Sequence, residues 1–111
     1  VVASDPDPEA RRRAVILAGR YGSDMGPVLT ALARDPEPSV RAGAAFALEV
    51  AGRRSPAVFD ALIATLASQG EDPLVQENAW RALGALSPLP EGAHRAYGVY
   101  AEARVARMEA Q

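Results

Sequence analysis

"DPEPSVRAGAAFALEVAG", residues 35–52, follows an upstream copy of itself at a spacing of thirty, "DPDPEARRRAVILAGRYG", residues 5–22. A third copy, "DPLVQENAWRALGAL", residues 72–86, joins at a spacing of thirty-five. With the three superimposed, Pro8, Pro38 and Pro73 coincide, and so do Ala14, Ala44 and Ala79. Val40, Ala44, Ala47 and Leu48 meet Val75, Ala79, Ala82 and Leu83, an i, i+4, i+7, i+8 apolar stripe that belongs to a helix. Internal repetition at this period marks an array of small units.

The punctuation of each copy is start and stop chemistry. Proline suits the first helical position, where its missing N–H has no intrahelical partner to lose and its φ is already helical. Asp7, Glu37 and Asp72 stand before it. Aspartate is a good N-cap and glutamate a poorer one, so Asp35 is expected to share the work of Glu37. Gly22 and Gly52 are expected to end the first two helices in the left-handed conformation.

Shorter amphipathic stretches lie between these copies. "SDMGPVLTALARD", residues 23–35, puts Met25, Val28, Leu29 and Leu32 on one face, and Phe59, Leu62, Ile63 and Leu66 repeat the pattern thirty-four residues later. Ser55 and Pro56 repeat the cap-then-proline start, and a last helix runs from near Pro90 through "GAHRAYGVYAEARVARM". Nothing alternates with period two over a useful length. The expected fold is all-α, with six helices in three antiparallel pairs: 7–21, 24–34, 38–51, 56–68, 73–86 and 91–108.

Asp35, Pro36, Pro38, Val40, Arg41, Ala44, Ala45, Ala47 and Leu48 spell D-P-x-P-x-V-R-x-x-A-A-x-A-L, which resembles a HEAT repeat, and more narrowly the short bacterial, PBS-lyase-like kind. The resemblance runs from Asp5 to about Leu86, weakening in the third copy, where Gln76 replaces the arginine. It implies an α-α superhelix, one domain over 1–111 with repeats at about 5–34, 35–69 and 70–108, and compatibility with a longer array. In this family the second helices line the concave side, which draws attention to Asp24, Asp60 and Thr65. The physics agrees, because a helix pair cannot bury its stripe alone and neighbours must stack to make a continuous core. That core is expected to hold Ala14, Leu17, Ala18, Val28, Leu29, Leu32, Val40, Ala44, Ala47 and Leu48. Leu62, Ile63, Leu66, Ala79, Leu83 and Leu86 complete it.

All twelve basic residues are arginine, and the net charge is −2. Residues 1–55 carry eight arginines against seven acids, and 56–111 four against seven. A nucleic-acid binder normally needs a basic excess to neutralise phosphates, so that partner is not expected. No cysteine is present, which removes disulfides and thiolate chemistry and fits a cytoplasmic setting. No membrane span or secretory signal is read from the apolar stretches.

Candidate chemistry is sparse. His94 is the one histidine, followed by Arg95, and a lone histidine is a poor metal site, so no metal is expected. Arg11, Arg12 and Arg13 are the one basic run, with Arg20 two turns on; Arg11, Arg12 and Arg20 are candidate anion contacts. Consecutive helical residues point in different directions, so a solvated face is the stronger reading. Arg11 and Arg41 hold equivalent positions and are expected to pair with an acid of the next repeat, Glu37 or Glu77. Trp80 is expected to pack toward the last helix. Tyr97 and Tyr100, three apart there, are candidate aromatic contacts. No nucleophile–base pair, carboxylate dyad or phosphate-binding glycine loop can be assembled.

The expectation is a non-enzymatic protein-binding scaffold without cofactor, using its concave face, with Asp24, Asp60, Thr65, Trp80, Tyr97 and Tyr100 as candidate contacts. Two alternatives accompany it. One is an accessory lyase or chaperone module holding a tetrapyrrole or other cofactor against Trp80, Tyr97 and Tyr100. The other is a weak nucleic-acid binder using Arg11, Arg12, Arg20, Arg53 and Arg54.

Overall fold

A computed structural model describes residues 5–110 as six α-helices with no strand among them. They are α1 (Pro8–Tyr21), α2 (Gly26–Arg34), α3 (Pro38–Ala51), α4 (Pro56–Ala67), α5 (Pro73–Ala85) and α6 (Glu91–Glu109). The first five begin with proline in the first turn, as the sequence requires. Asp7, Ser55 and Asp72 cap α1, α4 and α5 by accepting from Glu9 N–H at 3.1 Å, Val58 N–H at 3.3 Å and Leu74 N–H at 2.8 Å. Glu37 makes no side-chain cap; Asp35 accepts from its N–H at 3.0 Å and fixes the turn one step earlier.

The two glycine stops differ. Gly52 ends α3 at φ 65°, in the left-handed region. Gly22 does not follow the expectation: its φ and ψ of −80° and 151° are extended, so α1 simply unwinds there. Glycine is still required at that position, because a Cβ would lie 2.5 Å from the carbonyl oxygen of Ala18.

The helices form two layers, α1, α3 and α5 in one and α2, α4 and α6 in the other, within a slab of 42 × 30 × 17 Å. The first layer is tightly packed, α1 on α3 and α3 on α5. Small residues permit it: a Cβ added to Gly19 of α1 would sit 2.6 Å from both the Cβ and the carbonyl oxygen of Ala47 in α3. Backbone cannot yield cheaply, so Gly19→Ala should lower stability by at least about 1 kcal/mol in a denaturant melt. The second layer is more open. Each of its first two members leans on the next pair, α2 on α3 and α4 on α5, whereas α3 and α4 scarcely touch. Cohesion runs between pairs rather than within them, which is the behaviour of a solenoid.

Val28, Val40, Leu48, Leu62 and Leu83 are fully buried in the seams. Val15, Val58 and Ala93 join the core beyond the expected set. Ala14, Ala18, Leu29, Ile63 and Leu66 are half-buried. Leu17 is a correction, being 54% exposed. Its equivalent in α3 is Ala47, which packs back on Gly19; α1 has no helix on that side among the described residues, so Leu17 lies open.

Candidate functional site

The arginine shared by the first two repeats turns out to be a rung of a ladder. Arg11 donates from Nε and Nη2 to the Asp35 carboxylate at 2.9 and 3.1 Å, and from Nη1 to the Asp5 carbonyl at 2.9 Å. Arg41 repeats this one unit on, with Nε and Nη2 on Glu71 at 3.0 and 2.8 Å and Nη1 on the Asp35 carbonyl at 2.7 Å. The expected partners, Glu37 and Glu77, are replaced by Asp35 and Glu71, because the guanidinium crosses to the loop before the first helix of the next repeat. Burial pushes the Asp35 carboxyl up, but Arg11 and the Glu37 N–H outweigh it and hold its pKa below the usual value. Burial likewise raises Glu71, and Arg41 with the Asp72 N–H brings it below normal. Gln76 ends the series by donating to the Ser68 carbonyl at 2.8 Å, near the end of α4.

A second cluster joins α5 to α6. The Trp80 ring stacks on Tyr97 with centroids 5.0 Å apart, meets Tyr100 at 5.9 Å, and carries the Arg104 guanidinium 4.9 Å from its centroid. Its N–H donates to the Tyr97 carbonyl at 3.3 Å. Glu77 accepts from Arg104 at 2.9 Å and from the Tyr100 hydroxyl at 3.1 Å. Burial raises the Tyr100 pKa; Arg107 opposes that and Glu77 adds to it. The aromatic residues named from sequence are thus brought together, with their faces largely used on one another.

The remaining candidates scatter. Asp24 is exposed and holds the Gly26 N–H at 2.9 Å, at the start of α2. Thr65 is buried, and its hydroxyl is engaged in donating to the Ala61 carbonyl at 2.9 Å. His94 is exposed on α6, and no group of three metal-ligating side chains exists among the described residues. Arg12 and Arg13 both pair with Glu9, while Arg20 is exposed in the last turn of α1. Arg53 donates to the Ser23 carbonyl at 2.9 Å. Arg54 donates to the carbonyls of Leu86, at 3.0 Å, and of Pro88, and lies over the Phe59 ring. Four of the five arginines proposed for nucleic acid are therefore engaged within the fold.

What sequence reasoning missed is a groove between α4 and α6. One part, about 620 Å³, is lined by Arg54, Phe59, Asp60, Ile63, Leu89 and Ala93 among others. The other, about 540 Å³, continues past Ile63 and Gly92 to Leu66, Arg95, Val99, Tyr100 and Arg107. Of Asp24, Asp60 and Thr65 the groove contains Asp60 alone, and of the aromatic candidates it contains Tyr100. The signal lay in α6, whose apolar residues surround the axis instead of forming one stripe: Val99, Val105 and Met108 are exposed while Ala93 and Tyr100 are buried.

Stacked helix pairs, a repeating arginine rung and proline-started helices define a helical repeat protein. The profile of the HEAT repeats family matches residues 1–49 and 26–97, and the chain belongs to that family. No curated protein and no solved structure matches it. HEAT repeats generally serve as interaction scaffolds. No helix among the described residues is long and apolar enough to cross a membrane.

Proposed function

We propose that the chain is a non-catalytic protein-binding scaffold that makes its contact through the second helices, α2, α4 and α6. The observation that supports this most is the open apolar groove along α4 and α6, set in a fold whose other charged and aromatic groups are largely occupied. The arginines of the ladder hold loops, and Trp80, Tyr97 and Tyr100 hold α6. Neither set leaves an arrangement suited to turnover, while a shallow apolar trough with charged edges is what a protein partner uses.

The test is co-purification with a partner from the native host, followed by amide hydrogen exchange of the complex. Slower exchange concentrated in α2, α4 and α6 is expected. Protection confined to α1, α3 and α5, or turnover of a small molecule with no protein partner, would overturn the reading.

A further inference from the structure

We infer that the stretch of the α4–α6 groove between Gly92 and Arg107 receives an amphipathic helix bearing acidic residues beside its apolar stripe. This rests on the scaffold reading and names the chemistry of the partner. The floor and walls are apolar, formed by Ile63 and Leu66 from α4 and by Ala96, Val99 and Ala103 from α6. Val99 is 64% exposed in the middle of that wall, too open for a residue whose role is core packing.

The secondary structure of the occupant follows from the backbone of the walls. The α6 wall from Arg95 to Ala103 is helix interior, its N–H and C=O groups bonded along the helix, and at the end of α4 the Thr65 and Leu66 carbonyls accept from the Gln76 amide at 3.3 and 3.4 Å. The polar lining, Ser68, Gln69 and Gln76, is gathered at the end of α4, so an extended peptide along the α6 wall would leave most of its own backbone groups unpaired against apolar side chains. A helix carries its hydrogen bonds within itself and presents only side chains, so it fits where a strand does not.

The charge follows from the rim. Arg95 and Arg107 both line this stretch, twelve residues and about 18 Å apart along α6. Arg107 has no carboxylate ion-paired to it among the described residues; it rests 5.3 Å from the Tyr100 ring centroid. Arg95 pairs with Glu91 at 3.2 Å, but both side chains are largely in solvent, and an exposed i, i+4 pair is readily exchanged. Asp60 lies at the opposite end, beyond Ile63, so the attraction for acid is confined to the Arg95–Arg107 stretch. A second copy of the chain is a poor occupant. Its free apolar ridge on α1, Leu17 and Tyr21, is flanked by Arg13 and Arg20, which would meet like charge.

The experiment pans a display library of random sixteen-residue peptides against the whole chain and measures affinities of the enriched peptides for wild type, Val99→Glu and Arg95→Glu/Arg107→Glu. Far-UV circular dichroism confirms that these surface variants stay helical. Enriched peptides are expected to show apolar residues at helical spacing and net negative charge. Val99→Glu should weaken binding at least tenfold, and the double charge reversal likewise. Lysine in place of the acids in the peptide should restore binding to the double variant. Basic or proline-rich winners, or affinities indifferent to these substitutions, would overturn the inference and leave the scaffold reading standing. Self-association that Val99→Glu abolishes would point to a second copy and overturn it too. No enriched peptide, together with no partner from the host, would remove both readings.

Discussion

Arg41→Leu is expected to cost about 3 kcal/mol, a fall in Tm on the order of 12 °C for a chain of this size. Arg41 touches Glu71 through three hydrogen bonds and the Asp35 carbonyl through a fourth, and so joins the loops before α3 and α5. Its side chain and that of Glu71 are 18% and 11% exposed, too sheltered for water to replace what is lost. Removing the cation leaves a carboxylate and a carbonyl sheltered without their donor, which is the expensive way to break an ion pair. Truncating Arg13, whose side chain is 73% exposed, should change stability by less than about 0.5 kcal/mol. Equal losses for the two variants would show that the ladder is ornamental.

The pH dependence carries a definite sign. Asp35 and Glu71 have folded pKa values below their ordinary ones, because Arg11 and Arg41 outweigh the opposing effect of burial. A carboxylate depressed in the folded state contributes stability that is complete above its unfolded pKa, about 4, and is lost as pH falls through the folded value. Wild-type stability should therefore hold from neutral pH down to about 5 and decline below it. In Arg41→Leu, Glu71 no longer has a reason to stay ionised at low pH. The gap between the two proteins should narrow as pH drops, which urea melts at pH 7 and pH 3.5 would read directly.

Much of this architecture is written locally, and that part is legible. Proline, its preceding acid and the apolar spacing depend on nearby residues, so all six helices fall within about two residues of their expected ends. Misreadings begin where the cause lies in another helix. Asp35 sits three residues before Pro38, whereas Glu71 sits two before Pro73. The longer glutamate side chain makes up the difference in reach, so the rung survives although the letters do not align. Leu17 reads as core because its equivalent is core; exposure was decided by what lies beside α1. The groove is the extreme case, since it arises from the spacing of α4 and α6, and no single helix encodes a separation.

Leu48→Ala and Leu17→Ala should differ more than any other pair of chemically identical changes in the chain. The first is expected to destabilise by roughly 2–5 kcal/mol, through lost transfer energy and the cavity left behind. Leu48 is fully buried in α3, the helix that packs against both α1 and α5, so neither neighbour can collapse onto the void without parting from the other. Leu17 is 54% exposed on α1, and its truncation should cost less than about 0.5 kcal/mol in the isolated chain. The contrast is informative because the two residues look alike in sequence, each a leucine in the helical stripe that follows an acid-proline start. An array is held at its interior seams and only there. Urea denaturation of both variants measures that rule, and a Leu17→Ala loss approaching that of Leu48→Ala would mean that the outer face of α1 is covered in solution.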